Sequence, residues 1–116
     1  MTESKATTVV ETPAFAVHVE DGHSDGEIVF QLAGELDCDS APQLRQAIDD
    51  LNGREMRTLV FDLSSLEFID SSGLHQLVVA LKRQREAGGE LLLRAPRPQT
   101  LRVLEIVGLT TVFAVT

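Results

Sequence analysis

The sequence has neither tryptophan nor tyrosine, and only five of its 116 residues are phenylalanine. Proteins that bind single-stranded nucleic acids or sugars commonly stack them on aromatic side chains, so a site of that kind is not expected. Basic residues are also scarce, because ten Lys and Arg stand against 18 Asp and Glu, and the formal net charge is −8. Nucleic acid and anionic membranes repel such a chain, so we do not expect either as a partner.

Cysteine occurs once, at Cys38, so an internal disulfide is impossible and a reducing cytoplasm is the expected location. No apolar run approaches the ~20 residues that span a bilayer, and the polar N-terminus lacks the apolar centre of a signal peptide. The three histidines and the cysteine do not have metal-ligand spacing. Neither phosphate-binding loop motif, GxxxxGK[ST] or GxGxxG, is present, and we therefore expect no metal and no cofactor.

A length of 116 residues with 43% hydrophobic composition suits one domain with one core. Residues 1–13 are rich in polar residues and read as a flexible tail, so the domain is expected to cover 14–116. Apolar patterns predict strands at 15–21, 27–37, 58–66, 90–95 and 111–115. They also predict helices after Ser40, after the DSSG of residues 70–73 and within residues 96–108, each of which ends at a glycine or an Asn-Gly pair. The order β-β-α-β-α-β-α-β indicates an α/β fold with a mostly parallel sheet and an antiparallel edge hairpin.

Each predicted helix carries an apolar stripe that would face the sheet. Ser40 is the expected N-cap of the first helix, and Gln43 follows three residues later, as in a capping box. The stripes consist of Leu44, Ala47, Ile48 and Leu51 in the first helix, Leu74, Leu77, Val78 and Leu81 in the second, and Leu101, Leu104 and Val107 in the third.

Charge is unevenly distributed along the chain. Residues 20–39 contain acidic residues and no Lys or Arg, whereas residues 82–102 contain six basic residues against two acidic ones. Ordinary solvated faces explain such runs, and an acidic surface that attracts a basic partner is the alternative interpretation.

The segment "LEFIDSSGLHQL" places Asp70, Ser71 and Ser72 where a predicted strand ends and a helix begins. All three residues are of types that cap helix N-termini well, so helix capping is the structural interpretation. A helix needs only one of them, however, and its N-terminus favours negative charge through free N–H groups. A serine there can accept a phosphoryl group, whose added charge of about −1.5 to −2 would change a binding surface without unfolding the domain.

Two other chemistries are less well supported at this junction. His75 follows Ser71 by four residues, but a serine hydrolase would also need a GxSxG turn and a group that orients the histidine. Asp62 and Asp70 could contribute to a divalent-ion site, but two carboxylates make a weak case for one. The structural interpretation of Asp62 is an acid at a strand end that accepts hydrogen bonds from the backbone.

Three segments together carry a family pattern: "GELDCDSAPQLRQAI", "LVFDLSSLEFIDSSGLHQLVVALKR" and "LRVLEIVGLTTVF". In order and spacing they resemble STAS domain proteins of the bacterial anti-sigma factor antagonist type, and the likeness extends over about residues 14–116. The resemblance implies a single STAS domain that is not an enzyme. It also implies that Ser71, the serine directly after the aspartate, is the phosphorylation site.

The resemblance further implies a cycle of partners. The unphosphorylated protein would bind an anti-sigma factor that is also a serine kinase and so release a sigma factor. The kinase, using ATP bound to itself, would phosphorylate Ser71 and end the interaction, and a PP2C-type phosphatase would reset it. Residues that match or neighbour the family positions around the site are Asp37, Asp62, Asp70, Ser72, Gly73 and His75, and the structural glycines are Gly34, Gly73 and Gly108.

Two alternatives remain at this point. The chain could be a constitutive STAS scaffold or regulatory subunit of a transport ATPase or a stress-signalling complex, although the Asp70–Ser71 pair favours a phosphorylation switch. It could also sense a nucleotide or another small ligand, which the missing phosphate-binding loop disfavours. Cys38 occupies a position that is unremarkable in the family, and we expect no role for it.

Overall fold

The computed structural model describes residues 7–11, 14–51 and 57–116 of the chain. The strands are β1 Thr7–Glu11, β2 Phe15–Asp21, β3 Glu27–Leu36, β4 Thr58–Ile69, β5 Glu90–Arg94 and β6 Ala114–Val115. The helices are α1 Ala41–Asp49, α2 Ser71–Glu86 and α3 Pro98–Ile106, and a short 3₁₀ turn at Leu109–Thr111 precedes β6.

The six strands form one sheet in the order of the chain, β1-β2-β3-β4-β5-β6. The β1–β2 and β2–β3 pairs are antiparallel, and the three pairs from β3 to β6 are parallel. Helices α1, α2 and α3 connect the parallel strands, as strand-helix-strand units require. The predicted α/β class, with a mostly parallel sheet and three crossover helices, is confirmed.

The predicted flexible tail is wrong for residues 7–11, because they form β1 along the edge of β2, with Thr8 opposite His18 and Glu11 opposite Ala16. The segment is rich in β-branched Thr and Val, which favour strands. The polar composition of the N-terminal segment predicted a tail. The strand was missed because its pairing with β2 is apparent only in the folded sheet. The remaining residues of the predicted tail, 1–6 and 12–13, lie outside the described residues.

The core lies where β3 and β4 run side by side beneath α1 and α2. Residues 28–30 and 59–61 are buried on both faces of the sheet, as the continuous apolar runs predict. Phe30 and Phe61 are paired across these strands, and their ring centroids lie 5.6 Å apart. β4 continues three residues beyond its predicted end at Leu66, because Phe68 and Ile69 still pair with Glu35 and Leu36.

The apolar stripes of α1 and α2 face the core as predicted, with Leu44 and Leu77 fully buried. The prediction that Val107 points inward is wrong, since α3 ends at Ile106 and Val107 is 50% exposed. The last predicted strand is shorter than expected, because Leu109–Thr111 forms the 3₁₀ turn that follows Gly108. The predicted end of α1 at residues 52–53 lies outside the described residues.

Gly34 occupies a position in β3 that other residues cannot adopt without strain. Its φ is +92°, and a Cβ built on it would lie 2.1 Å from the carbonyl oxygen of Ala14. The close approach brings the start of β2 onto β3, where Phe15 pairs with Gly34. The predicted structural role of this glycine therefore has a steric cause.

None of the helices in the described part of the chain combines the length and the apolar character needed to cross a bilayer. Within residues 7–11, 14–51 and 57–116, no three His, Cys, Asp or Glu side chains cluster as ligands of a metal ion would.

Candidate phosphoacceptor site at the start of the second helix

Asp70 connects the end of β4 to the first turn of α2. Its carboxylate accepts a hydrogen bond from the Gly73 backbone N–H at 3.1 Å, which makes it the N-cap of the helix. Its own N–H donates to the carbonyl oxygen of Leu36 at 3.1 Å, and its carbonyl oxygen accepts from the Leu74 N–H at 2.9 Å. Asp70 thus joins the end of β3 to the start of α2 and takes the capping role.

Ser71 is the first residue of α2, and its side chain is exposed. Within the described residues, its hydroxyl has no hydrogen-bond partner on the protein. Ser72 is half-buried beside it. Because Asp70 caps the helix, neither serine is needed for that purpose, and the Ser71 hydroxyl is free to react or to bind.

Gly73 fits the start of α2 closely against β3. It is buried, and a Cβ on it would lie 2.7 Å from the Leu36 carbonyl oxygen and 2.8 Å from Cγ1 of Ile69. Both contacts are shorter than side chains tolerate, so only glycine lets α2 begin at this distance from the strand ends. The exposed Ser71 is therefore carried on a rigid part of the fold.

A groove of about 450 Å³ lies between the beginnings of α1 and α2, next to Ser71. Its lining comprises Cys38, Ala41, Pro42 and Arg45 on one side and Ser71, Ser72, His75 and Gln76 on the other. Arg45 and His75 are both exposed, and the lining includes no carboxylate. An anion placed on Ser71 would thus meet a cationic side chain across the groove.

Asp37 organises the loop that leads from β3 into α1. Its carboxylate accepts hydrogen bonds from the N–H groups of Asp39 at 3.0 Å and Ser40 at 3.1 Å. The buried Ser40 hydroxyl accepts from the Asp37 N–H at 2.9 Å and donates to the Glu35 carbonyl oxygen at 2.7 Å. Asp37 thus stabilises one wall of the groove without lining it.

The capping box predicted for α1 does not form. Ser40 occupies the N-cap position, but its side chain makes no capping hydrogen bond to the helix. The hydroxyl is already hydrogen-bonded to the backbone of Glu35 in β3 and of Asp37 in the loop before α1. A sequence pattern cannot distinguish these uses, because both depend on the same short polar side chain.

The structure does not bring Asp62 to the site. It lies in the middle of β4, opposite Gln31 and Arg94, whereas Ser71 follows the end of that strand. Its carboxylate accepts from the N–H of Ser64 at 2.9 Å and the Ser64 hydroxyl at 2.7 Å. The backbone hydrogen bond is what the structural interpretation of Asp62 predicts, but the predicted position at a strand end is wrong, because β4 continues to Ile69.

Five residues of the groove were not expected at the site: Cys38, Ala41, Pro42, Arg45 and Gln76. Cys38 is exposed at the rim, and its sulfur lies 4.0 Å from a carboxylate oxygen of Asp39. Arg45 follows the predicted start of α1 by one turn. Its place could be inferred only after α1 and α2 were known to begin side by side.

Comparison with known proteins identifies the family of this chain. The family model of the STAS domain matches residues 16–116. An anti-sigma F factor antagonist of Paenibacillus polymyxa is 31% identical over 94 residues, which are 80% of this chain and 80% of that protein. An anti-sigma-B factor antagonist of Bacillus subtilis is 32% identical over 95 residues, covering 80% and 84%. The chain therefore belongs to the STAS domain family.

A solved structure supports the assignment at the level of the whole fold. The crystal structure of an anti-sigma factor antagonist from Mycobacterium paratuberculosis aligns with a TM-score of 0.77 at 33% identity, covering 91% of this chain and 89% of that one. The Bacillus cell fate determinant SpoIIAA, solved in its phosphorylated form, shares the fold with a TM-score of 0.66 at 24% identity, covering 89% and 91%.

Proposed function

We propose that this protein is an anti-sigma factor antagonist that phosphorylation at Ser71 switches off. The observation that carries the proposal is the exposed Ser71 hydroxyl at the start of α2, without a partner among the described residues, next to an aspartate that already caps the helix. The relatives from Paenibacillus polymyxa and Bacillus subtilis, which are similar over most of their length, are named as antagonists of this kind.

The proposed chemistry requires little from this chain. The Ser71 oxygen attacks the γ-phosphorus of ATP, the bond from that phosphorus to the β–γ bridging oxygen breaks, and ADP leaves. A free serine hydroxyl is a weak nucleophile, so a kinase must supply the base that takes the proton, the Mg²⁺ and the positioning. In this scheme the chain is the substrate, and the nucleotide is bound by its partner.

The fold is suited to carry a phosphorylated Ser71. A phosphate at a helix N-terminus faces unpaired N–H groups and the positive end of the helix dipole. Since the Ser71 hydroxyl makes no hydrogen bond among the described residues, its modification breaks no side-chain hydrogen bond there. The phosphorylated structure of SpoIIAA indicates that this fold is compatible with a covalent phosphate.

Release of the partner follows from electrostatics. Phosphorylation adds a charge of about −1.5 to −2 next to Asp70, on a surface that also carries Asp37 and Asp39. A partner surface that complements the unmodified serine would have to desolvate this charge or accept like-charge repulsion. A loss of ~3 kcal/mol would weaken the complex more than a hundredfold, which is sufficient for a switch.

The proposed partners are an anti-sigma factor that is also a serine kinase and a PP2C-type phosphatase that restores Ser71, acting in the cytoplasm. A constitutive STAS scaffold would use the same surface without modification. The free acceptor serine favours the switch, because a permanent interface would gain nothing from an unpartnered hydroxyl at its edge.

The test is to co-purify the tagged protein with its kinase from the source organism, add ATP and Mg²⁺, and count phosphates by intact-mass spectrometry. We expect one phosphate on the unaltered protein and on Ser72→Ala, and none on Ser71→Ala. Phosphate on Ser71→Ala would refute the site. A partner that binds tightly but never phosphorylates the chain would favour the scaffold.

A further inference from the structure

The groove beside Ser71 contains a cation, Arg45, that has no anionic partner among the described residues. Arg45 is exposed on the α1 side of the groove, and in the described part of the chain its guanidinium makes no ion pair, whereas Arg83 is paired with Asp49. His75 lies on the α2 side, four residues after Ser71, and is also exposed. The phosphoryl transfer proposed above uses neither side chain.

We propose that Arg45 and His75 bind the phosphoryl group of phosphorylated Ser71 within this groove, so that the modified serine is held by its own protein. The inference rests on Ser71 being the phosphoacceptor. It adds that the phosphorylated state is a defined conformation, in which the phosphate bridges the beginnings of α1 and α2, rather than a charge that extends freely into solvent.

The chemistry of the two side chains suits a phosphate monoester. A guanidinium presents several N–H donors in a plane and can bind two phosphate oxygens at once. An imidazole has at least one N–H to donate in either protonation state. Residues four apart on a helix have Cβ atoms about 5–6 Å apart, which places the His75 ring within reach of a group attached to the Ser71 oxygen.

Nearby carboxylates would repel a phosphate on Ser71. The proposed binding therefore depends on the positive charge of Arg45. Asp37 and Asp39 belong to the loop before α1, and Asp70 caps α2, but none of the three lines the groove. The carboxylates of Asp37 and Asp70 also already accept backbone N–H groups. The phosphate therefore meets cationic and neutral groups inside the groove and negative charge outside it.

A phosphate held in this way would occupy the part of the groove next to Ser71. A partner that inserts a side chain between α1 and α2 when Ser71 is free would then be excluded by occupancy as well as by charge. Phosphorylation would thus change both the shape and the electrostatics of the same surface.

The experiment measures the pKa of the phosphate itself. Phosphoserine is installed at position 71 during translation with an expanded genetic code, so that no kinase is required, and the full chain is titrated by ³¹P NMR. The second pKa of a phosphoserine is ordinarily about 6. We expect a value below this in the folded protein and a rise of about 0.5 in Arg45→Gln, equivalent to ~0.7 kcal/mol. The control Arg102→Gln, at an exposed arginine of α3, should leave it unchanged.

A phosphate pKa that is the same in Arg45→Gln and in the unaltered phosphoprotein would overturn the inference. A second measurement needs no substitution: the Arg45 side-chain N–H signal of the unaltered phosphoprotein should shift with the same midpoint as the ³¹P signal. An Arg45 signal that does not move across the titration would also overturn the inference. Failure of every candidate kinase to modify Ser71 would instead count against the proposed function and would not alter these two readouts.

Discussion

The carboxylate of Asp70 accepts a hydrogen bond from the backbone N–H of Gly73 at 3.1 Å, across the first turn of α2. This one contact explains why an acid, two serines and a glycine follow one another at the end of β4. The acid caps the helix, the glycine permits close contact with β3, and Ser71, the first of the two serines between them, stays exposed.

Removing the cap should destabilise the domain by a measurable amount. Asp70→Ala should lower the free energy of unfolding by ~1 kcal/mol, because a free N–H group remains at the start of α2. Asp70→Asn should lose less, since asparagine also caps helices well. Urea denaturation at neutral pH with an unchanged m-value measures both. Equal losses in the two variants would contradict a capping role.

Gly73→Ala should be destabilising even though alanine is the better helix former. The added Cβ would lie 2.7 Å from the Leu36 carbonyl oxygen, so α2 must shift away from β3. We expect a net loss of about 1–2 kcal/mol in thermal or urea unfolding. Ser72→Ala, one residue earlier, is the matched control and should change stability by less than ~0.5 kcal/mol. If both variants behave alike, the close packing at Gly73 has no energetic role.

Ser40→Ala tests whether the Ser40 hydroxyl stabilises the loop before α1 rather than capping that helix. Ser40 is 5% exposed, and its hydroxyl joins the Asp37 N–H to the Glu35 carbonyl oxygen. Its loss leaves both backbone groups without this partner, and we expect a cost of about 1–3 kcal/mol. Ser24→Ala, at an exposed turn position, should be close to neutral in the same denaturation experiment. A neutral Ser40→Ala would mean that the loop reorganises without cost.

Ser71→Asp should weaken the complex with the anti-sigma factor kinase proposed as partner at least tenfold, as measured by calorimetry. The aspartate places one negative charge beside Asp70, which is less than a phosphate adds, so a partial effect is expected. Ser65→Asp carries the same charge at an exposed position of β4 that does not line the groove, and should bind like the unaltered protein. Unchanged affinity in Ser71→Asp would count against the charge mechanism.

The ion pair between Arg83 of α2 and Asp49 of α1 should contribute little to stability. Both side chains are about two-fifths exposed, at 41% and 42%. A double-mutant cycle with Asp49→Asn and Arg83→Gln should give a coupling of ~0.5 kcal/mol or less that disappears in 1 M salt. A coupling above ~1.5 kcal/mol that persists in salt would show that the pair holds the two helices together.

The sequence by itself determined the elements whose signals are local. Each of these signals lies within a few residues of the structure that it predicts. Examples are the alternating apolar residues of β2, the apolar stripe of α1 and the acid-serine junction at the start of α2. The junction at Asp70, Ser71 and Ser72 could therefore be identified from local sequence, whereas the choice of Ser71 over Ser72 came from the resemblance to the family.

The tertiary structure alone decided the features that depend on distant partners. The strand at 7–11 exists through its pairing with β2, the Ser40 hydroxyl is taken by Glu35 rather than by its own helix, and Asp62 lies away from the site because β4 runs on to Ile69. Arg45 faces Ser71 only because α1 and α2 begin side by side. Contacts between residues far apart in sequence are set by packing in three dimensions, and local composition does not encode them.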